Sequence, residues 1–322
     1  MSILNKILEM YKSTLFSRYD PDGTIFYFSS DDFPGLNKEP LCFKNKHGNL
    51  LFGAFYYYPE AREDKLVIFE HGMGAGGHRA YMREIEMLAR RGVKVFSYDR
   101  TGCFESEGEH INGFAGSLSD LDDCLNALVA LGYCEGCEIS IVGHSWGGFS
   151  TMNIPAIHPE VKRIVAMSGF MSVKDMQKEV IPFILAPFRR HLFALEEEAN
   201  PDYVNYNAKD SLSDSDVRAL IIHSVDDRIV SAKNHFFKLR TSLSHKPSIE
   251  FLLVNGKNHS PNYTLDAVSY KDTFFKALKK YQKAYPTPTE YEKRKFVDSF
   301  DWYRMTEQDT AVWEKIYETL AI

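Results

Sequence analysis

The sequence predicts an α/β fold in which a mostly parallel sheet of about eight strands is covered by helices on both faces. Three observations carry this expectation. Runs such as Leu66-Val67-Ile68-Phe69 and Ile139-Ser140-Ile141-Val142 are nearly continuously apolar, as strands buried on both faces are. Stretches of helical spacing separate these runs. Glycines stand where one kind of element ends and the next begins, as at Gly92 and Gly143.

Each element follows in turn. Residues 1–15 read as an amphipathic helix, because Lys6, Glu9 and Lys12 interrupt any apolar core that a signal peptide would need. Residues 39–43 and 50–58 flank Asn45-Lys46-His47-Gly48, a hairpin turn that makes the first pair antiparallel. Residues 65–70 form a central strand. Residues 79–91 place Tyr81, Ile85, Leu88 and Ala89 on one helical face, and Gly92 stops that helix. A strand at 93–98, a helix at 117–131, a strand at 138–142 and a helix at 145–158 come next. Strands at 161–167, 218–223 and 251–254 complete the series.

Two segments break the alternation. Residues 171–214 separate two strands by more than one crossover needs, so a helical insertion is expected there, broken at Pro182 and Pro187. Residues 262–322 read as a helix to Tyr285, a Pro286-Thr287-Pro288 break, and further helices from Thr289 and Thr306. The expected organisation is a core over 1–285, carrying the insertion, and a helical extension over 286–322.

Thirty-eight basic against 44 acidic residues give a net charge of -6, which does not suggest a nucleic-acid binder. No apolar run is long enough to span a membrane. Five cysteines do not make a disulfide framework. Cys134 and Cys137 form a lone CxxC, too few ligands for a zinc site, so reduced thiols in a cytoplasmic protein are expected. No clustered ligand set suggests a metal, and no cofactor is implied.

The strongest local signal is Gly143-His144-Ser145-Trp146-Gly147-Gly148. It matches GxSxG between a buried strand and a helix, the setting in which a strained turn presents a serine hydroxyl. The glycines permit the tight turn, and the helix N-terminus favours developing negative charge.

Over about residues 40–285 the sequence resembles the α/β-hydrolase family, in its serine esterase, lysophospholipase and aminopeptidase-like branch. The resemblance implies a catalytic acid in the turn His223-Ser224-Val225-Asp226-Asp227-Arg228-Ile229-Val230. The family register selects Asp227, with Asp226 as the rival. It implies a histidine after the last strand, at His259 in Gly256-Lys257-Asn258-His259-Ser260. The order Ser145, Asp227, His259 is the one this family shows. The oxyanion hole implied is the pair of backbone amides of Trp146 and Met73, the latter in His71-Gly72-Met73-Gly74-Ala75-Gly76-Gly77. Asp99-Arg100-Thr101-Gly102-Cys103-Phe104-Glu105-Ser106 resembles the family's Asp-x-Arg-Gly turn, with Phe104 where a glycine is usual.

The other histidines need plainer readings. His144 is expected to pack, and His71 to shape the glycine loop. His78, close to that loop, is a candidate substrate contact. In the insertion, Phe183 and Phe188 are candidates to line an acyl or aromatic pocket, the alternative being that they pack the insertion onto the sheet. Arg189 and Arg190 read as a solvated basic pair.

The activity expected is hydrolysis of a small-molecule carboxylic ester through an acyl-enzyme. A small-substrate peptidase or amidase is the second reading, for which Glu196-Glu197-Glu198 could grip an amine. A non-catalytic binding protein is the third. Of the 23 Phe, 18 Tyr and 3 Trp, 13 fall between Tyr263 and the C-terminus. That cluster is expected to pack on the core or on a second copy of the chain, which is the candidate partner.

Overall fold

The computed structural model describes residues 3–74 and 76–322. In chain order its elements are α1 (Ile3–Leu15), β1 (Asn37–Lys44), β2 (Leu50–Tyr57), β3 (Arg62–Glu70), α2 (Met82–Ala89), β4 (Val93–Tyr98) and α3 (Gly116–Ala130). Then come β5 (Glu138–His144), α4 (Trp146–Asn153), β6 (Val161–Met167), α5 (Val173–Val180), α6 (Arg189–Ala199) and α7 (Ala208–Ser213). The remainder is β7 (Arg218–Ser224), α8 (Phe236–Leu243), β8 (Ile249–Val254), α9 (Leu265–Ala284), α10 (Glu290–Val297), α11 (Trp302–Met305) and α12 (Thr310–Leu320).

One sheet of eight strands runs in the order β1-β2-β4-β3-β5-β6-β7-β8. β2 pairs antiparallel with both β1 and β4, and every pair from β4 to β8 is parallel. The apolar runs are explained by burial on both faces. Ile68, Ile141, Ile164 and Ile221 point to one side, against α3, α4 and α8. Val67, Val142, Val165 and Ile222 point to the other, against α2 and α12. Parallel strands covered twice lose no apolar position to solvent.

The insertion after β6 is helical, built from α5, a short 3-10 turn over Phe183–Phe188, α6 and α7. Pro182 and Pro187 bound and interrupt the turn, as a residue lacking an N–H must. Arg189 differs from its expected solvated state: its guanidinium donates to the carbonyls of Ile181 and Lys178, at 2.7 and 3.1 Å, and ties off the end of α5. Glu196 is also no part of a charged surface. It is fully buried, and its carboxylate accepts from Tyr11 Oη at 2.7 Å and from the Phe114 amide at 2.8 Å.

The extension does not stand apart from the sheet. α12 packs its Val312, Trp313, Ile316 and Leu320 into the β-sheet core. Trp313 is wholly buried, and its Nε1 donates to Gln308 Oε1 at 2.8 Å. Phe274, Phe296, Phe300 and Trp302 form a satellite cluster between α9 and the extension. The apolar residues of α12 are therefore covered within the chain. Among the described residues no helix is long and apolar enough to cross a membrane, and no group of His, Cys, Asp and Glu could hold a metal ion.

Candidate active site

Ser145 lies between the end of β5 and the start of α4, with φ 58° and ψ -115°. A non-glycine residue there is strained, and the surroundings must enforce it. They do so by crowding. A methyl on Gly147 would strike the Glu70 carbonyl, and one on Gly143 would strike Gly147 and Thr151. The Ser145 amide is also pinned, donating to Met167 O at 2.8 Å.

His259 Nε2 lies 2.8 Å from Ser145 Oγ. His259 Nδ1 lies 2.8 Å from Asp227 Oδ2. The chain therefore brings together three groups that are far apart in sequence, in the order hydroxyl, imidazole, carboxylate. Asp227 Oδ1 accepts from the amides of Ile229 and Val230, at 2.9 and 3.0 Å. Burial pushes this carboxyl up, but its bond to His259, the histidine's charge and the two amides outweigh burial and hold it below the usual carboxylate range.

Asp226 turns to other partners. Its Oδ1 accepts from Ser224 Oγ at 2.6 Å and from the Gly256 amide at 2.9 Å, and its Oδ2 accepts from the Asn258 amide at 3.3 Å. The same loop is fastened to the extension. Lys257 Nζ meets Asp309 Oδ2 at 2.5 Å, and Asp309 Oδ1 in turn caps α12 through the Ala311 and Val312 amides. The Asn262 carbonyl accepts from the Asp309 amide at 2.8 Å. So the helical extension braces the segment that presents His259.

His144 is buried beside the serine with both ring nitrogens engaged. Its Nε2 donates to the His259 carbonyl at 2.7 Å, and its Nδ1 accepts from Tyr81 Oη at 2.9 Å. Burial, and then the neighbouring His259, push its pKa down to about 3. A ring kept neutral in this tautomer fixes the backbone of His259. Nothing in the local sequence announces Tyr81 in this role, because the contact spans elements distant in the chain.

The glycine loop after β3 is held from below by Arg100. Its guanidinium donates to the Gly72 carbonyl at 2.7 Å and packs 4.7 Å from the Trp146 ring centroid. His71 Nδ1 also donates to the Gly72 carbonyl, at 2.7 Å. Burial, and then Arg100, push the His71 pKa well down, which suits a neutral ring that shapes the loop. Met73 follows Gly72 and is exposed, while Trp146 begins α4, where an N–H has no helical partner. Ala75, in the same loop, lies outside the described residues. Phe104, standing where a glycine is usual, takes φ 47°, and Arg18 Nη2 donates to its carbonyl at 2.6 Å.

The three candidate substrate contacts fall elsewhere. His78 is buried, with Nδ1 on Asp99 Oδ1 and Nε2 on Tyr56 Oη, each at 2.8 Å, so neither nitrogen is left for a ligand. Phe183 is 88% exposed and borders a surface cleft with Asp175, Lys178 and Arg189. Phe188 is half-buried and packs against the main core.

A cavity of about 300 Å³ instead reaches His144, the residue before Ser145, and the loop at Met73 and Gly74. Ser260, from the turn after His259, also lines it. Phe274, Phe275, Trp302 and Met305, from α9 and the extension, supply further wall. The C-terminal aromatic cluster was expected only to pack on the core or on a second copy of the chain. Part of it also lines the cavity that reaches His144 and Met73.

A family model described as serine aminopeptidase, S33, matches residues 61–211. Among solved structures, an esterase from Pyrococcus furiosus is similar with a TM-score of 0.60 at 17% identity, over 83% of this chain and 98% of that one. A putative dienelactone hydrolase from Klebsiella pneumoniae subsp. pneumoniae is similar with a TM-score of 0.54 at 13% identity, over 89% and 98%. An acylaminoacyl peptidase from Pyrococcus horikoshii has a TM-score of 0.54 at 15% identity, over 71% of this chain and 38% of that one. At such identities the structural similarity is one of fold. No curated protein matches the chain by sequence.

Proposed function

We propose that the chain is a serine hydrolase of the α/β-hydrolase kind that cleaves a carboxylic ester through an acyl-enzyme, a reading supported by the family model over residues 61–211 and by the shared fold. The observation that carries this reading is the unbroken relay from Ser145 Oγ through His259 to Asp227, 2.8 Å at each step.

In this reading His259 Nε2 takes the hydroxyl proton as Ser145 Oγ attacks the ester carbonyl. Asp227, ionised and held by two amides, stabilises the imidazolium and keeps Nδ1 protonated. The amides of Trp146 and Met73 receive the oxyanion. Collapse breaks the bond to the alcohol oxygen, which leaves with the proton from His259. Water then attacks the acyl-serine and gives a proton to His259. As the bond from the acyl carbon to Ser145 Oγ breaks, His259 returns that proton to Oγ, releasing the acid and restoring the free serine.

Burial of Glu196 favours an ester over an amine-gripping peptidase, since it removes one of the three candidate carboxylates, already bonded to Tyr11 and Phe114, from reach of a substrate amine. The test is a panel of nitrophenyl esters of short and long acids beside aminoacyl anilides, run with wild type and Ser145→Ala. Ester turnover lost in Ser145→Ala is expected. Anilide turnover with inert esters overturns the ester preference, and equal turnover by Ser145→Ala overturns the mechanism.

A further inference from the structure

The cavity that reaches His144 and Met73, neighbours of the candidate nucleophile and part of the proposed oxyanion hole, has a composition that simple apolar packing does not explain. Arg79, Arg83 and Lys271 all line it, within a chain whose net charge is -6. Among the described residues none of the three lies in an ion pair with a carboxylate. Arg79 rests 5.2 Å from the Phe104 ring centroid, and Arg83 rests 5.3 Å from that of Tyr303. The Arg83 Nε is buried with no hydrogen-bond partner. Lys271 Nζ lies 5.0 Å from the Tyr263 ring centroid and 3.2 Å from Ser260 Oγ.

The acid in this wall, Glu84, attracts Lys271 but makes no ion pair with it or with either arginine. Glu84 is buried, and its Oε1 accepts from Asn262 Nδ2 at 3.1 Å and Gln308 Nε2 at 3.3 Å. Burial pushes its carboxyl up and pushes the Lys271 ammonium down, in each case against the attraction of the other. An anion seated there would supply the ion-pair partner that the three basic groups lack. The aromatic walls add the other half of the requirement. The only polar atom of the Trp302 side chain donates to the Val297 carbonyl at 2.9 Å, which leaves the ring faces for apolar contact.

We infer that this cavity is the specificity pocket and that it takes an amphipathic anion: an ester whose apolar ring or chain also carries an acidic group. The identity of the bond cut rests on the hydrolase reading, whereas the binding of the anion does not. The N-terminal segment at Phe26 and Phe28, α2, α9 and the extension then all belong to the substrate site.

Two measurements test this separately. In the first, full-length Ser145→Ala is titrated calorimetrically with 4-phenylbutyrate, neutral 4-phenylbutyramide and phenyl phosphate. The anions should bind at least about tenfold more tightly than the amide. The tighter of the two anions identifies the acidic group as carboxylate or phosphate. Adding Lys271→Met or Arg83→Met should each weaken anion binding by about tenfold, with Arg79→Gln as a further variant if either fails to fold. Equal affinity for anion and amide, or affinity unmoved by these substitutions, overturns the inference.

In the second, kcat/KM of wild type is compared for a nitrophenyl hemiester of a dicarboxylic acid and its methyl-capped diester, and again with the acidic group moved to the alcohol. Preference for an acidic ester in either series supports the pocket and says which side of the scissile bond it receives. Preference for the neutral ester in both overturns it. Anion binding by Ser145→Ala without ester turnover by wild type would overturn the hydrolase reading and leave the pocket standing.

Discussion

Asp226 and Asp227 are adjacent in the chain, and both hold the loop that carries His259, but they grip different parts of it. Asp227 takes the imidazole, at 2.8 Å. Asp226 takes the backbone, through the amides of Gly256 and Asn258. One carboxylate thus orients a ring and the other positions the main chain from which the ring hangs.

This division gives opposite signatures on substitution. Asp227→Asn should lower kcat by about 10⁴-fold with little loss of melting temperature, because the wrong tautomer of His259 is favoured while the packing stays. Asp226→Ala should lower stability by about 2 kcal/mol and kcat by only about tenfold, since it frees the loop without removing a relay member. Steady-state kinetics beside thermal melts distinguish the two. A larger kcat loss in Asp226→Ala would reverse the assignment.

Ser145→Ala should reduce ester hydrolysis by at least about 10⁴-fold without unfolding the chain. The strained backbone at φ 58° is enforced by neighbouring glycines and carbonyls, not by the hydroxyl. Circular dichroism and melting should match wild type while labelling by a fluorophosphonate is lost. By contrast, Gly147→Ala should destabilise strongly, because its methyl would strike the backbone carbonyls of Glu70 and His71, which cannot swing aside.

His144 predicts a pH dependence of stability. Its folded pKa of about 3 lies below its ordinary 6.5, so between these values the unfolded chain binds the extra proton. The stabilisation is therefore complete above about 6.5 and is lost as pH falls through the window. His144→Gln removes the titration and should flatten the fall of melting temperature between pH 6.5 and about 4.5. An unchanged slope would show that other buried groups, such as His71 and His223, dominate.

Glu196 links α1 to the insertion, and burial pushes its carboxyl up to about 7. Glu196→Gln, which keeps the shape and one acceptor, should be tolerated. Glu196→Ala should cost about 2–4 kcal/mol, by leaving Tyr11 Oη and the Phe114 amide without their acceptor in a buried space. Urea melts of both variants measure the difference.

The alternation of strands and helices was legible because apolar periodicity follows directly from burial on two faces. The serine turn and the relay order were legible because their residue types have few other uses at those spacings. Tyr81 and Lys271 were not legible, since a tyrosine or a lysine becomes part of a site only through neighbours that the fold supplies. Phe183 illustrates the reverse. Its residue type suited a pocket, yet the fold leaves it 88% exposed. α8 was overlooked because Phe236–Leu243 is short and mixed in polarity, so that neither period stands out.

Phe26 and Trp302 meet in the cavity wall, with ring centroids 5.9 Å apart, although they come from widely separated parts of the chain. Loop-closure entropy delays such an encounter, so the pocket should be among the last features to assemble during folding and among the first to open locally. A ligand seated there would bind only the completed fold and would raise its stability by mass action. Occupancy of the pocket would then report that folding is complete, and slow proteolysis in the presence of a ligand would be its visible trace.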